Sequence, residues 1–257
     1  MTAAGALGSV WDAIAVALIS RYLGINSLSA YVITNLLIGL TETLVSGVSG
    51  SLETLCAHAI GANNYFLAGQ YVQIATVVYI MVSVPFFGVW WFVMGDCIRL
   101  FRMNDQVVEI GVKYTKIVIF DYMVDGVFGN MYTLFDINGQ VTQATLFDFI
   151  TGATDCCMTW LLLAYVKDMD LFWIGASMLL MSTVHYFIFT LLAHCKGWLD
   201  PFYDGLLKSF ALKNTPAVKN VVRTAIPLTI GYFLEYGEVS QHFIFTQIHS
   251  TPIINFG

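Results

Sequence analysis

The sequence predicts an all-α membrane protein, a bundle of about seven transmembrane helices. Hydrophobic residues make up 58% of the 257 residues and charged residues only 11%, whereas soluble domains carry about 25% charged residues. The mean hydropathy of +0.73 supports this class, as do several apolar runs near the length of about 20 residues that a spanning helix needs. Continuous runs of this length exclude the short strands of a membrane barrel.

An apolar run predicts each span, and Gly, Asn or charged residues separate the runs. The second run is expected to continue as helix to Ala62, and the third contains no charged residue. In chain order, the predicted spans are Ala3–Ile19, Leu28–Val48, Ala68–Met94, Ile117–Phe135, Ala144–Val166, Leu171–Ala193 and Ala225–Phe245.

The connections divide the chain into a six-helix part, residues 1–195, a longer loop, residues 196–216, and a seventh helix, residues 217–257. With seven spans, the turn between spans two and three lies on the same side as the 196–216 loop. Five Lys and Arg residues fall on that side and six on the other, so the positive-inside rule does not orient the protein.

Charge and motifs exclude several classes of protein. A net charge of −6 and a pI near 5.2 provide no basic field for nucleic acid. The sequence contains no H-E-x-x-H, P-loop or G-x-S-x-G motif, so we expect neither an enzyme nor a metal site. The five cysteines form no C-x-x-C pair and are typical of buried thiols.

Acidic residues within the spans are the candidates for function, because an Asp at the membrane centre costs roughly 2.5–3.5 kcal/mol. Asp121 and Asp125 are four residues apart and therefore share a helix face. Glu235 lies near the middle of the seventh span, about two turns after Pro227, which interrupts helical hydrogen bonding. The complete set is Asp12, Glu42, Asp121, Asp125, Asp148, Asp155, Glu235 and Glu238.

Converging acidic faces would line a cavity. Burial without a cation disfavours the charged carboxylate, which suits such acids to loading and releasing protons or sodium ions. The alternative is that several of them, notably Asp12, Asp148 and Glu238, lie at span ends and are wetted by loops. His185 follows Ser182 and Thr183 in a polar step, but a lone histidine is more typical of packing.

One segment resembles a known family. Ser51–Ala62 has the sequence SLETLCAHAIGA, similar to the end of the second helix in eukaryotic MATE (multidrug and toxic compound extrusion) transporters. The residues that match that signature are Glu53, Thr54, Cys56 and Gly61. The Tyr22-Leu23-Gly24 turn resembles the family's first turn, and Phe233–Tyr236 resembles its seventh helix, which carries a coupling acid.

The resemblance implies a secondary antiporter that exports organic, often cationic, compounds or xenobiotics in exchange for H⁺ or Na⁺, without another cofactor. It implies that Glu235 is the coupling acid and that Asp121, Asp125 and Asp155 line the cavity of the first lobe. Family members have about twelve helices in two lobes. The chain therefore resembles a fragment: the first lobe, a cytoplasmic connecting loop and the first helix of the second lobe.

The implied partners are a small organic substrate, the lipid bilayer of the plasma or vacuolar membrane, and a second lobe or second copy needed for activity. Departures from the family pattern are Ala57-His58 in place of Gly-Gln, the missing arginine at Thr133–Asp136, and Asp12, one turn before the bacterial first-helix aspartate. Alternatives are a seven-helix receptor, a non-transporting truncated relative, and an intramembrane aspartyl protease, which would need an absent Gly-x-Gly-Asp step.

Overall fold

The computed structural model describes the backbone of residues 3–250 and the side-chain surroundings of residues 10–235. Helices and turns form this part of the chain, and no strand occurs in it, which confirms the predicted all-α membrane bundle. The six long helices are α1 (Ala3–Gly61), α2 (Tyr65–Leu100), α3 (Asp105–Ile137), α4 (Val141–Tyr165), α5 (Leu171–Cys195) and α6 (Thr215–Ser250). Within the described residues, the segments long and apolar enough to cross a membrane are Val10–Gly61, α2, α4 and α5.

Helix α1 consists of two arms, residues 3–23 and 25–61, that meet at Gly24. Gly24 has φ 82° and ψ −179°, a backbone conformation that residues with a Cβ rarely adopt. Asp12 in the first arm and Asn35 in the second line one cavity, although a straight helix would separate them by about 35 Å. The arms therefore fold back on each other, and α1 supplies the first two of seven helical segments.

The turns between the other helices are short and closed by capping side chains. Asn64 accepts a hydrogen bond from the backbone N–H of Leu67 at the start of α2, at 3.0 Å. Asn104 and Asp170 cap α3 and α5 in the same way. Such caps satisfy N–H groups that the first helical turn leaves free, and they fix where each helix begins.

Contacts between turns show which helix ends lie together. Asn26, after the Gly24 break, donates to Gln106 at the start of α3 at 2.7 Å. At the opposite end of the bundle, the linker between α5 and α6 (residues 196–214) packs against the first turns of α2. Gln73 Nε2 donates to the carbonyl of Leu206 at 2.9 Å, and Gln70 Oε1 accepts from Asn214 at 2.7 Å. This places the 61–64 turn and the linker on one side, as the seven-span topology predicts.

The linker contains 3₁₀ turns at Asp200–Phe202 and Ala211–Lys213 and a π-turn at Asp204–Lys208. Phe202 is fully buried in a core cluster that also contains Leu52, Ala68 and Leu134. Cys56 belongs to the same cluster, so α1, α2, α3 and the linker form one packed layer at this end. Observed α6 begins at Thr215, ten residues before the apolar run from which the seventh span was predicted.

We expect Gly205→Ala to detach the linker from α2 and to lower stability by about 1–3 kcal/mol, the usual cost of overpacking. A Cβ at Gly205 would clash with the backbone carbonyl of Phe66, and helix backbone cannot rotate away as a side chain can. Thermal unfolding and the rate of tryptic cleavage at Lys208 measure the effect. The matched control is Gly231→Ala, where a Cβ meets no atom within 4 Å. Equal behaviour of the two variants would contradict the tight packing of the linker.

Candidate functional site

An internal space lies between both arms of α1 and helices α3, α4 and α5. One part has a volume of about 280 Å³ and is lined by Asp12, Asp121, Asp125 and Asp155. An adjoining part of about 340 Å³ is lined by two of the same acids together with Asp136, Asp148 and His185. Asp125, Asp155 and Ser182 belong to both parts. We call the combined space the acidic cavity.

Asp121 and Asp125 point into the acidic cavity from successive turns of α3, as their spacing predicts. Both side chains are partly buried. Ser182 of α5 interacts with the Asp121 carboxylate, and Tyr186, one turn later, interacts with Asp125. The face shared by the two acids is therefore turned inward and has polar neighbours on α5.

Glycines allow the surrounding helices to approach the acids closely. Trp11 of the first arm packs directly over Gly152 of α4, where any Cβ would clash with the indole ring. Trp11 also contacts Phe149 on the same helix, with ring centroids 5.5 Å apart. On the other flank, the Tyr79 ring fills the space beside Gly126 of α3, and its hydroxyl donates to the carbonyl of Tyr122 at 2.9 Å. These contacts hold α1 against α4 and α2 against α3 beside the acids.

The charge inside the acidic cavity is negative. Its described lining residues include six aspartates and no Lys or Arg. One oxygen each of Asp121 and Asp155 is buried without a hydrogen-bond partner. Within the described part of the chain, no group of three or more His, Cys, Asp or Glu residues has the geometry to hold a metal ion. The arrangement can accept protons or a small cation in place of the missing positive side chains.

Glu235 lies apart from the acidic cavity. It follows five exposed residues of α6, and its own side chain is exposed. The face of α6 that contacts α1 contains Ala225, Thr229 and Tyr232, which pack on Gly47 and Gly50. Glu235 lies about 85° around the helix from that face, at about 100° per residue. Its burial against a second lobe remains a prediction, because the first lobe leaves it open.

The residues of the predicted family signature lie at the linker end of the bundle. Cys56 is fully buried, and its thiol donates to the carbonyl of Ala68 at 3.7 Å. Glu53 and Thr54 are exposed on the other side of the same turns. Gly61 ends α1, and a Cβ there would meet no atom within 4 Å. Cys56 therefore contributes to packing, and Glu53 and Thr54 remain accessible.

Comparison with known proteins places the chain in a family. The family model MatE matches residues 1–152, more than half of the sequence. The chain belongs to the MatE family. It is 38% identical over 68 residues to Protein DETOXIFICATION 9 of Arabidopsis thaliana, a stretch that covers 26% of this chain and 14% of that protein. Members of the family are transporters and not enzymes, which confirms the prediction of a non-enzymatic integral membrane protein.

Solved structures of MATE transporters share the fold. The chain superposes on the outward-facing conformation of a multidrug resistance MATE family transporter of the MOP superfamily with a TM-score of 0.72 and 13% identity. The inward-facing conformation of such a transporter gives a TM-score of 0.65 and 15% identity. The first match covers 89% of this chain and 50% of the other, so the chain spans half the length of that solved transporter.

Little or nothing in the sequence indicated that four residues line the acidic cavity: Asp12, Asp136, Asp148 and His185. Asp12 is one turn before the bacterial first-helix position of the MATE pattern, yet the fold-back at Gly24 carries it to the cavity edge beside Tyr31. His185 is buried beside Asp155, 30 residues earlier in the chain. The polar step at Ser182, Thr183 and His185 was the only sequence signal for that pairing.

Proposed function

We propose that this chain is the first lobe of a secondary antiporter that exports small organic, often cationic, compounds in exchange for H⁺ or Na⁺. The observation that carries the proposal is the acidic cavity, in which aspartates from α1, α3 and α4 face one another without a described Lys or Arg. Uncompensated carboxylates in a membrane bundle are costly and mark ion or substrate sites. Membership of the MatE family favours transport over the seven-helix receptor.

The acids of the cavity are suited to load and release one small cation at a time. Asp121 is close enough to Asp125 and to Asp155 for their charges to interact. Because neighbouring negative charges repel, ionising all three carboxylates together is unfavourable, and binding a proton or a metal cation relieves the repulsion. Asp121, Asp125 and Asp155 therefore bind the coupling ion in the first lobe.

The second site of the proposed antiporter is Glu235 on α6. Glu235 is exposed on the first lobe. A second lobe, or a second copy of the chain, would pack against this face of α6 and bury it. Alternating access by rocking needs two bodies around a central site, which one lobe does not contain. The complete assembly resides in the plasma or vacuolar membrane, with the 196–214 linker on the cytoplasmic side.

Reconstitution into liposomes tests this proposal with ethidium as the organic cation. We expect an imposed pH or sodium gradient to drive ethidium across the membrane, and Asp125→Asn to reduce the rate at least about tenfold, because the amide cannot take up a proton. The matched control is Asp96→Asn, an exposed acid at the far end of α2 that pairs with Arg99 at 3.2 Å. Asp96→Asn is expected to transport at the wild-type rate.

The protein-to-lipid ratio distinguishes the two sources of the second body. If a second copy completes the site, ethidium transport per chain rises with the density of the 257-residue chain. If a covalent second lobe is needed, the chain is inactive at every density and activity requires its extension by that lobe. Absence of gradient-driven transport in both forms would refute the antiporter.

A further inference from the structure

An apolar groove lies between α2, α3 and the linker. Its volume of about 230 Å³ exceeds the roughly 150 Å³ of a cavity that holds benzene, so it has room for a stretch of hydrocarbon chain. The half-buried residues that line it include Thr76 and Val77 on α2, Val127 and Met131 on α3, and Leu206 in the linker. None of its described lining residues belongs to the acidic cavity or to α6, so the groove is separate from the proposed transport site.

The depth of the groove corresponds to the upper acyl chains of one leaflet. Val77 is twelve residues after Tyr65, the first residue of α2, and therefore about 18 Å from that end of the helix. Met131 is six residues before Ile137, the last residue of α3, or about 9 Å from the same side. Helix α2 has 36 residues and is about 54 Å long, whereas the hydrocarbon core is about 30 Å thick. The groove therefore spans the boundary between headgroups and acyl chains in the linker-side leaflet.

The linker presents apolar side chains outward at this boundary. Leu207 is 70% exposed and Phe210 is 63% exposed, and the Tyr203 ring is also exposed. Phe202 and Ala211 of the same linker are fully buried in the core cluster, so the inward side of the linker is already packed. Tyrosine is enriched where a membrane protein meets the headgroups, and exposed apolar side chains grouped together mark a contact surface. The outward side of the linker therefore faces lipid.

Lys208 provides a positive charge at the headgroup end of the groove. It follows Leu206 by two residues, so their Cα atoms are at most about 7 Å apart. Its side chain is exposed, with Nζ 2.7 Å from the Asp204 carboxylate and 5.5 Å from the centroid of the Tyr203 ring. An ammonium group has three N–H donors, so Lys208 can keep Asp204 as a partner and also donate to a phosphate oxygen.

We propose that one phospholipid of the linker-side leaflet binds here, with an acyl chain in the groove and its phosphate on Lys208. A basic side chain beside an apolar groove between membrane helices is complementary to a phospholipid, which carries a negative phosphate above a hydrocarbon chain. The bound lipid contacts α2, α3 and the linker together and stabilises their packing. This inference does not depend on the proposed antiport.

Native mass spectrometry of the 257-residue chain in detergent tests the site with dioleoyl phosphatidic acid. Dioleoylglycerol is the matched ligand, because it has the same chains and lacks only the phosphate. We expect one phosphatidic acid to bind more tightly than dioleoylglycerol, and Lys208→Gln to weaken its binding about fivefold, the effect of one basic residue near a charged lipid surface. Lys167→Gln is the matched control, since Lys167 is exposed in the turn between α4 and α5, at the other end of the bundle.

A variant that fills the groove tests the position of the acyl chain. Thr76→Trp should abolish binding of the tight phosphatidic acid, whereas Met81→Trp, at a 63% exposed position of the same helix outside the groove, should bind it like the wild type. Equal affinity for dioleoylglycerol, unchanged binding by Lys208→Gln, or displacement by cholesterol would overturn the phospholipid site.

Photo-crosslinking locates the lipid without any variant. Phosphatidic acid with a diazirine in one acyl chain, added to the chain in nanodiscs, is expected to label residues 72–77 of α2 and 127–131 of α3 in preference to other lipid-exposed positions. Phe187 on α5, which is 67% exposed, is the reference for lipid that coats the bundle at random. Labelling at Phe187 as strong as in the groove would contradict a specific site. None of these measurements uses transport, so their outcome is independent of the antiporter.

Discussion

Replacing Glu235 by Gln in the protein completed by its second lobe is expected to abolish ion-coupled efflux and to leave expression intact. Gln has the shape of Glu but cannot exchange a proton or carry a charge, so the site loses its coupling function without a change in volume. Pro227 lies inside α6, about two turns earlier. Since proline has no N–H, the carbonyl of Arg223 loses its helical partner and a polar break lies on the same helix as the acid.

Ethidium efflux driven by an imposed pH or sodium gradient measures this effect, and we expect a loss of at least about tenfold. Glu109→Gln is the matched control, because Glu109 is an exposed acid at the start of α3 that pairs with Lys113 at 2.8 Å. Efflux by Glu235→Gln at the full rate with unchanged pH or sodium dependence would place the coupling carboxylate elsewhere. Asp121 and Asp125, which we propose to bind the coupling ion in the first lobe, would then account for coupling without Glu235.

Much of the fold follows from residue order alone. The apolar runs located every helical segment, because a bilayer requires continuous helices of a fixed minimum length. Helix ends were less predictable: α2 begins at Tyr65 and ends at Leu100, several residues beyond the apolar run on each side. The side chain of Asn64 caps α2 and so fixes its first residue at Tyr65, before the apolar run begins.

Residue spacing predicted the site only where its members lie on one helix, and the family resemblance added Asp155 from a second helix. The four-residue spacing of Asp121 and Asp125 fixes a common face, and the structure turns that face into the acidic cavity. The contributions of Asp12 and His185 depend on how α1 folds back at Gly24 and how α4 meets α5. No periodicity within one helix contains that information, because it arises from packing between helices.

Replacing Gly47 by valine is expected to destabilise the protein strongly, because α6 packs against the second arm of α1 at this residue. A Cβ at Gly47 would lie 2.5 Å from the backbone nitrogen of Thr229 and 2.7 Å from the backbone carbonyl of Ala225. Small residues let membrane helices approach this closely, and the contact is made by helix backbone that cannot rotate aside. Gly47→Val should therefore force α6 away from α1 and weaken a helix contact that joins the first lobe to the proposed second one.

The expected cost of Gly47→Val is about 1–3 kcal/mol, which lowers the thermal midpoint by roughly 2–12 °C in a protein of this size. Tryptophan fluorescence during heating in detergent measures that midpoint. Gly50→Val provides a graded comparison, because the atoms nearest to its Cβ belong to the Tyr232 side chain, with the hydroxyl oxygen at 2.8 Å, and that side chain can rotate. Gly61→Val, in open space at the end of the same helix, is the neutral control. We expect the largest loss of thermal midpoint at Gly47, where the added side chain meets helix backbone. The loss should be smaller at Gly50, where it meets a side chain, and smallest at Gly61, where it meets no atom within 4 Å. Equal losses at Gly47 and Gly50 would show that α6 is free to shift and that this crossing does not hold the two lobes in register.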